Sequence, residues 1–119
     1  MLILILTPGT IALLIHHSVM TADQIRPNKE ALTVKEEDTV ALSCSYDTSS
    51  SYVRLYWYRQ HLNGEPQYLL YEAARSSGGS GRPDNPRFKS TTSDSSTELT
   101  ISGVTLSDSA LYYCALRVG

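Results

Sequence analysis

The chain has 119 residues, 41% hydrophobic and 18% charged, which is enough for one compact domain with a short extension and too little for a second core. Its 10 basic and 12 acidic residues leave a formal net charge of −2 and are scattered along the sequence. That distribution excludes a polybasic face for nucleic acid and an acidic tail.

The opening stretch, Met1 to Ala22, contains no Lys, Arg, Asp or Glu and carries the apolar runs Leu2 to Leu6 and Ile11 to Ile15. This is the composition of a secretory signal peptide. It lacks a basic n-region, Pro8-Gly9 interrupts the apolar core, and Thr21-Ala22 is a loose small-residue cleavage point. A buried apolar strand and a signal anchor are the competing readings, and the stretch is short and broken for a membrane span. The expectation is a leader over residues 1–22 and a domain over residues 23–119.

From Gln24 onward, segments rich in Val, Thr, Ser and Tyr alternate in polarity and are separated by Gly, Pro, Asn, Asp and Ser, which is a sheet signature. Val40, Leu42 and Cys44 fall on one face of the first such run. The aromatic-dense run Leu55 to Gln60 leads into a tight turn at Asn63-Gly64, with Pro66 behind it, and a returning strand from Gln67 to Tyr71, together a hairpin. Ser76 to Pro86 is loop-like, Arg87-Phe88-Lys89-Ser90 resumes an extended pattern, and Leu99, Ile101 and Val104 repeat a core face. Only Leu106-Ser107-Asp108 suggests a helical turn. The fold class is all-β.

Two cysteines, Cys44 and Cys114, lie 70 positions apart, and Trp57 follows the first by 13. An even pair in an exported chain reads as one disulfide in an oxidising compartment. In a two-sheet sandwich a cysteine on each sheet can span the roughly 10 Å between layers, with an indole filling the space beside the sulfurs. A loop this long makes the bridge worth roughly 4 kcal/mol on the chain-entropy account.

The run Asp108-Ser109-Ala110-Leu111-Tyr112-Tyr113-Cys114 resembles the closing motif of immunoglobulin variable domains, and with Cys44, Trp57 and Arg87-Phe88 the resemblance covers Gln24 to Arg117. Trp57-Tyr58-Arg59-Gln60 and the ending Cys114-Ala115-Leu116 are most similar to T-cell receptor alpha or delta variable regions. An antibody light-chain-like or an innate V-type receptor domain is the alternative. The resemblance implies a V-type Greek-key β-sandwich of two antiparallel sheets, with Tyr112 bonding upstream backbone and a surface pair between Arg87 and Asp108. The chain stops at Gly119, short of the Phe-Gly-x-Gly strand of a joining segment, so the last (G) strand is expected to be missing and the sheet edge exposed.

By the same resemblance, recognition sits on loops at one end of the sandwich. These are Asp47 to Arg54, Glu72 to Ser76, and Ala115 onward, with Ser51, Tyr52, Arg54, Glu72, Arg75, Leu116 and Arg117 as candidate contacts with antigen or an MHC molecule. The Ser49-Ser50-Ser51 run would supply adaptable polar groups. Tyr58, Gln60, Pro66 and Tyr113 would form a face pairing with a beta or gamma chain V domain, where the Gln60 amide can exchange bonds with a like residue. The implied ligand is a peptide or other antigen on an MHC-like molecule, and the implied location is extracellular at the plasma membrane, with the anchor and signalling parts outside this sequence.

Catalysis is not expected. His16 and His17 lie in the leader, leaving His61 as a solvated turn residue, so histidine-based nucleophile activation and a His-rich metal site are ruled out. Ser77-Gly78-Gly79-Ser80-Gly81 lacks the strand, the helix and the Lys-Ser or Lys-Thr of a phosphate loop. Glu36, Glu37 and Asp38 read as a solvated cluster beside a strand start. No Asn-x-Ser or Asn-x-Thr occurs, and no cofactor or metal is expected.

Overall fold

Period-two burial organises the chain into two layers. In the strand Val40–Asp47, residues Val40, Leu42, Cys44 and Tyr46 are buried, whereas Ala41 and Asp47 face solvent. The structure, a computed structural model, describes residues 2–5, 23–76, 78–81 and 85–119. In chain order the strands are β1 (Leu2–Ile5), β2 (Gln24–Pro27), β3 (Ala31–Thr33), β4 (Val40–Asp47), β5 (Tyr52–Gln60), β6 (Gln67–Arg75), β7 (Ser80–Gly81), β8 (Phe88–Thr92), β9 (Ser96–Ile101) and β10 (Ala110–Val118). One sheet has the order β3-β1-β10-β5-β6-β7 and the other β2-β4-β9-β8. Neighbouring strands are antiparallel except β1 and β3.

The disulfide Cys44–Cys114 joins β4 of the smaller sheet to β10 of the larger. Trp57 on β5 is fully buried beside Cys44, Leu42, Leu99 and Ile101, and its Nε1 donates to the Thr97 Oγ1 of β9 at 3.2 Å. The indole thus crosses from one sheet to the other and finds a partner for its only donor. A bulge where Trp57↔Leu70 gives way to Tyr58↔Tyr68 leaves Leu69 as the extra residue in β6, and both Leu69 and Leu70 are buried.

At the base of the sandwich a single-turn 3-10 segment, Leu106–Asp108, places the Asp108 carboxylate inside the protein, its side chain only 1% exposed. Arg87 donates to both of its oxygens, Nη1 at 2.9 Å and Nη2 at 3.0 Å. Arg59 Nη1 lies 3.2 Å from Oδ1, and the Thr105 N–H donates to Oδ2 at 2.9 Å. The pair expected at the surface is therefore a three-residue network around a buried carboxylate, with the Arg59 side chain 14% and the Arg87 side chain 32% exposed, and its energetic weight lies between that of a surface pair and that of fully desolvated charge. Burial pushes the Asp108 carboxyl up, but the Arg87 and Thr105 hydrogen bonds and the charges of Arg87 and Arg59 outweigh it and hold the pKa below its ordinary value. The buried Tyr112 hydroxyl donates to the Asp108 carbonyl at 2.7 Å. Burial pushes this phenol up to about 12 despite the opposing pull of Arg59.

Two segments add strands beyond those read from the sequence. The first apolar run contributes β1, paired antiparallel with β10 (Leu2↔Tyr112, Ile3↔Leu111, Leu4↔Ala110) and parallel with β3. The β10 edge, expected to be bare, is covered there, because an open row of backbone donors and acceptors accepts any extended segment within reach. Beyond Tyr112, no strand flanks β10 on that side among the described residues. Pro8-Gly9, the run Ile11 to Ile15, His16, His17 and the cleavage point at Thr21-Ala22 lie outside the described residues. Within the stretch Ser76 to Pro86, read as loop, Ser80–Gly81 pairs with β6 as a short edge strand. Ser77 and residues 82–84 lie outside the described residues.

Three outcomes are expected. Replacing both Cys44 and Cys114 by Ala lowers unfolding free energy by roughly 4 kcal/mol in a denaturant titration, since the closed loop is long. Asp108→Ala costs about 2–3 kcal/mol at pH 7, because it removes the acceptor of three guanidinium contacts while Arg87 keeps access to solvent. Because the folded pKa of Asp108 is depressed, the acid-dependent part of that stabilisation is present above the ordinary carboxylate range and disappears as pH falls through the folded value. Urea midpoints of wild type and Asp108→Ala therefore converge below about pH 4. For Tyr112 the folded pKa is raised, so its contribution is complete below about pH 10 and is lost as pH rises toward 12. Tyr112→Phe removes about 2–3 kcal/mol of alkaline pH dependence from unfolding curves.

Candidate recognition end and outer sheet face

Directly opposed residues in an antiparallel ladder share a face, so the register of β10, β5 and β6 sorts the candidate residues. The rows Tyr113↔Tyr58↔Tyr68, Ala115↔Tyr56↔Tyr71 and Arg117↔Arg54↔Ala73 lie on the outer face. The rows Cys114↔Trp57↔Leu70, Leu116↔Leu55↔Glu72 and Val118↔Val53↔Ala74 turn inward.

The outer face carries a continuous set of tyrosine rings. Tyr56 stacks on Tyr58 with centroids 6.4 Å apart, Tyr58 meets Tyr68 edge-on at 5.9 Å, and Tyr56 meets Tyr71 at 5.3 Å. Tyr68 remains 46% exposed. Gly81 of β7 lies beneath this array, where a Cβ would meet the Tyr71 ring at 2.6 Å and also collide with the Tyr68 hydroxyl. The Arg54 guanidinium continues the array toward the loop end, 5.3 Å from the Tyr52 centroid and 5.2 Å from that of Tyr71. Arg117 is exposed beside it.

Of the four residues named for chain pairing, Tyr58, Gln60 and Tyr113 lie in this sheet and Pro66 in the turn that joins β5 to β6. Tyr113 donates its hydroxyl to Gln60 Oε1 at 2.7 Å, and Gln60 Nε2 donates to the Gly64 carbonyl at 2.9 Å. The amide already has one internal partner at each end, with one N–H and one acceptor lone pair left over. Pro66 is exposed in the β5–β6 turn, where Asn63 has a φ of 62° and Gly64 N–H donates to the His61 carbonyl. His61, expected to be solvated, bonds the Ser107 carbonyl through Nε2 at 2.8 Å, which makes Nε2 the protonated nitrogen.

Strand pairing runs further than the loop boundaries expected from sequence. The β4–β5 connection is reduced to residues 48–51, β6 continues through Arg75, and β10 continues through Val118. Three residues named as contacts accordingly point elsewhere. Leu116 packs against the cluster of Tyr46, Val53, Leu55 and Ala74. Glu72 lines a groove with Leu70, Phe88 and Ser90, where burial raises its pKa. Arg75 folds back onto backbone carbonyls of residues 48, 50 and 94. Leu116 and Glu72 turn inward because their rows do, whereas Arg75, paired with Tyr52 of the outer face, leaves its row through a φ of 59°.

Ser51, Tyr52, Arg54 and Arg117 remain at or near the loop end with solvent access. The serine-rich loop is bonded within itself and to its neighbours: Ser50 N–H donates to Thr48 Oγ1 at 3.1 Å, Tyr52 N–H of β5 to Ser50 Oγ at 3.0 Å, and Ser76 N–H, just after β6, to the Ser51 carbonyl at 3.1 Å. Sequence reasoning missed Arg59 as the third member of the base network and Arg75 as a loop tie. A strand arginine inside an aromatic run was the only available signal for the first. Among the described residues no cluster of three or more His, Cys, Asp or Glu could hold a metal ion, and no helix is long and apolar enough to cross a membrane.

Comparison with known proteins agrees with this geometry. The family model for the immunoglobulin V-set domain matches residues 27–119. Human T cell receptor alpha variable 18 is 38% identical over 111 residues, covering 92% of this chain and 94% of the relative. Human T cell receptor alpha variable 14/delta variable 4 is 35% identical over 98 residues, covering 81% and 82%. The mouse T-cell receptor alpha chain V region CTL-F3 is 40% identical over 96 residues, covering 79% and 69%. With its inter-sheet disulfide, buried Trp57 and Tyr112–Asp108 corner, the chain belongs to the immunoglobulin V-set family, among the T-cell receptor alpha and delta variable regions.

Proposed function

We propose that this chain is the antigen-recognition V domain of a T-cell receptor alpha-type chain, pairing through its outer sheet face with the V domain of a beta or gamma chain. In this reading the paired end carrying Ser51, Tyr52, Arg54 and Arg117 contacts a peptide or other antigen held by an MHC-like molecule. The observation that carries the pairing is the tyrosine array of Tyr56, Tyr58, Tyr68 and Tyr71, which stays on the solvent side with Tyr68 46% exposed. Aromatic residues rich in apolar area yet carrying a hydroxyl are the usual anchors of protein interfaces. Rings packed against one another also lose little rotamer freedom on docking. Arg54, held over two of those rings, joins the pairing face to the loop end and presents a charged group there. The reading places the domain outside the cell as part of a membrane-anchored receptor.

Sedimentation velocity of the refolded chain mixed with beta-chain and gamma-chain V domains tests this. One class forms a heterodimer, and Tyr58→Asp or Tyr68→Asp weakens it by at least about 30-fold, as expected for loss of an interface hot spot, with little change in melting temperature. Pairing unaffected by either change, or with neither class, overturns the assignment of the face.

A further inference from the structure

We infer that Arg75 is the positioning residue that locks the first recognition loop, residues 48–51, to the turn at residues 93–96, so that the two present one rigid surface. Arg75 ends β6 with a φ of 59°, a conformation that penalises an L side chain and that glycine or asparagine usually occupies. An arginine held there has a side chain committed to the fold. Its Nη1 donates to the Thr48 carbonyl at 2.6 Å and the Ser50 carbonyl at 2.9 Å. On its other side Nη2 and Nε donate to the Asp94 carbonyl at 2.6 and 3.1 Å. Four donor contacts from one plane join three segments that are distant in sequence.

The clamp also has a floor. The guanidinium lies 5.3 Å from the centroid of the buried Tyr46 ring, and the Tyr46 hydroxyl donates to the Ser93 carbonyl at 2.6 Å. Loop, strand end and turn are thus referenced to a core side chain of β4. All the acceptors are main-chain carbonyls, so neighbouring side chains can change without disturbing the clamp as long as residue 75 keeps its fork. Lysine presents its three donors from a single point and cannot face both sides at once. The consequence for antigen contact rests on the recognition role proposed above, whereas the coupling itself does not.

Amide hydrogen exchange by NMR on the full chain, without antigen or partner, tests the coupling and so can fail independently of that role. Arg75→Gly removes the fork while relieving the backbone. It should speed exchange about tenfold or more at the amides of Tyr52, Ser76 and Ser93, and leave Ser102 and Val104 at the opposite end unchanged. Arg75→Lys should not restore protection. Ser93→Ala, which removes the hydroxyl that accepts from the Ser95 and Ser96 amides, should raise exchange at Ser76 when Arg75 is present and leave it unaltered in the Arg75→Gly background. Uniform acceleration at both ends, no acceleration, rescue by lysine, or the same Ser93→Ala effect in both backgrounds would each overturn the inference.

Discussion

Two sheets that each bury one face must be held at a fixed separation and angle, and in this domain the covalent link between Cys44 and Cys114 with Trp57 beside it supplies that constraint. β4 and β10 carry the sulfurs, β5 the indole and β9 the Thr97 hydroxyl that accepts its N–H. Four strands drawn from both layers therefore share one reference point. Everything at the two ends of the sandwich is built outward from it, since the ladder registers propagate its position along β5 and β10.

The two ends hold their arginines differently. At the base, Arg87 and Arg59 converge on a carboxylate that is almost wholly buried, and the Tyr112 corner bonds the backbone of the same residue. Charge is matched by charge, so this end is sensitive to acid through Asp108 and to alkali through Tyr112. At the loop end, Arg75 is matched by carbonyl dipoles, which do not titrate in the same range. The end assigned to recognition is thereby held by contacts insensitive to moderate changes in pH.

Between the ends, the outer face of β10, β5 and β6 concentrates aromatic surface without burying it. Cross-strand rows put Tyr58 opposite Tyr68 and Tyr56 opposite Tyr71, and Gly81 lets β7 approach beneath them. Such a surface is preorganised before any partner arrives. The edge of β10 is shared with β1 over Ala110–Tyr112 alone, so strand pairing on that side remains incomplete among the described residues.

Local pattern determined much of this protein. Alternation identified the inner faces of β4 and β9, the Cys44, Trp57 and Cys114 spacing implied a cross-linked sandwich, and Asn63-Gly64 marked the hairpin turn. These signals are legible because each depends on near neighbours or on a side-chain type with few alternative uses. Tertiary structure decided the rest. Whether Glu72 and Leu116 face inward depends on how far β6 and β10 continue in register, which partner strands set and single residues do not. The burial of Asp108 depends on Arg59 arriving from β5 and Arg87 from the turn before β8, and the commitment of Arg75 depends on carbonyls of residues 48, 50 and 94, whose positions no side-chain pattern encodes. Main-chain acceptors are the same at every residue, so only the fold determines which of them an arginine meets.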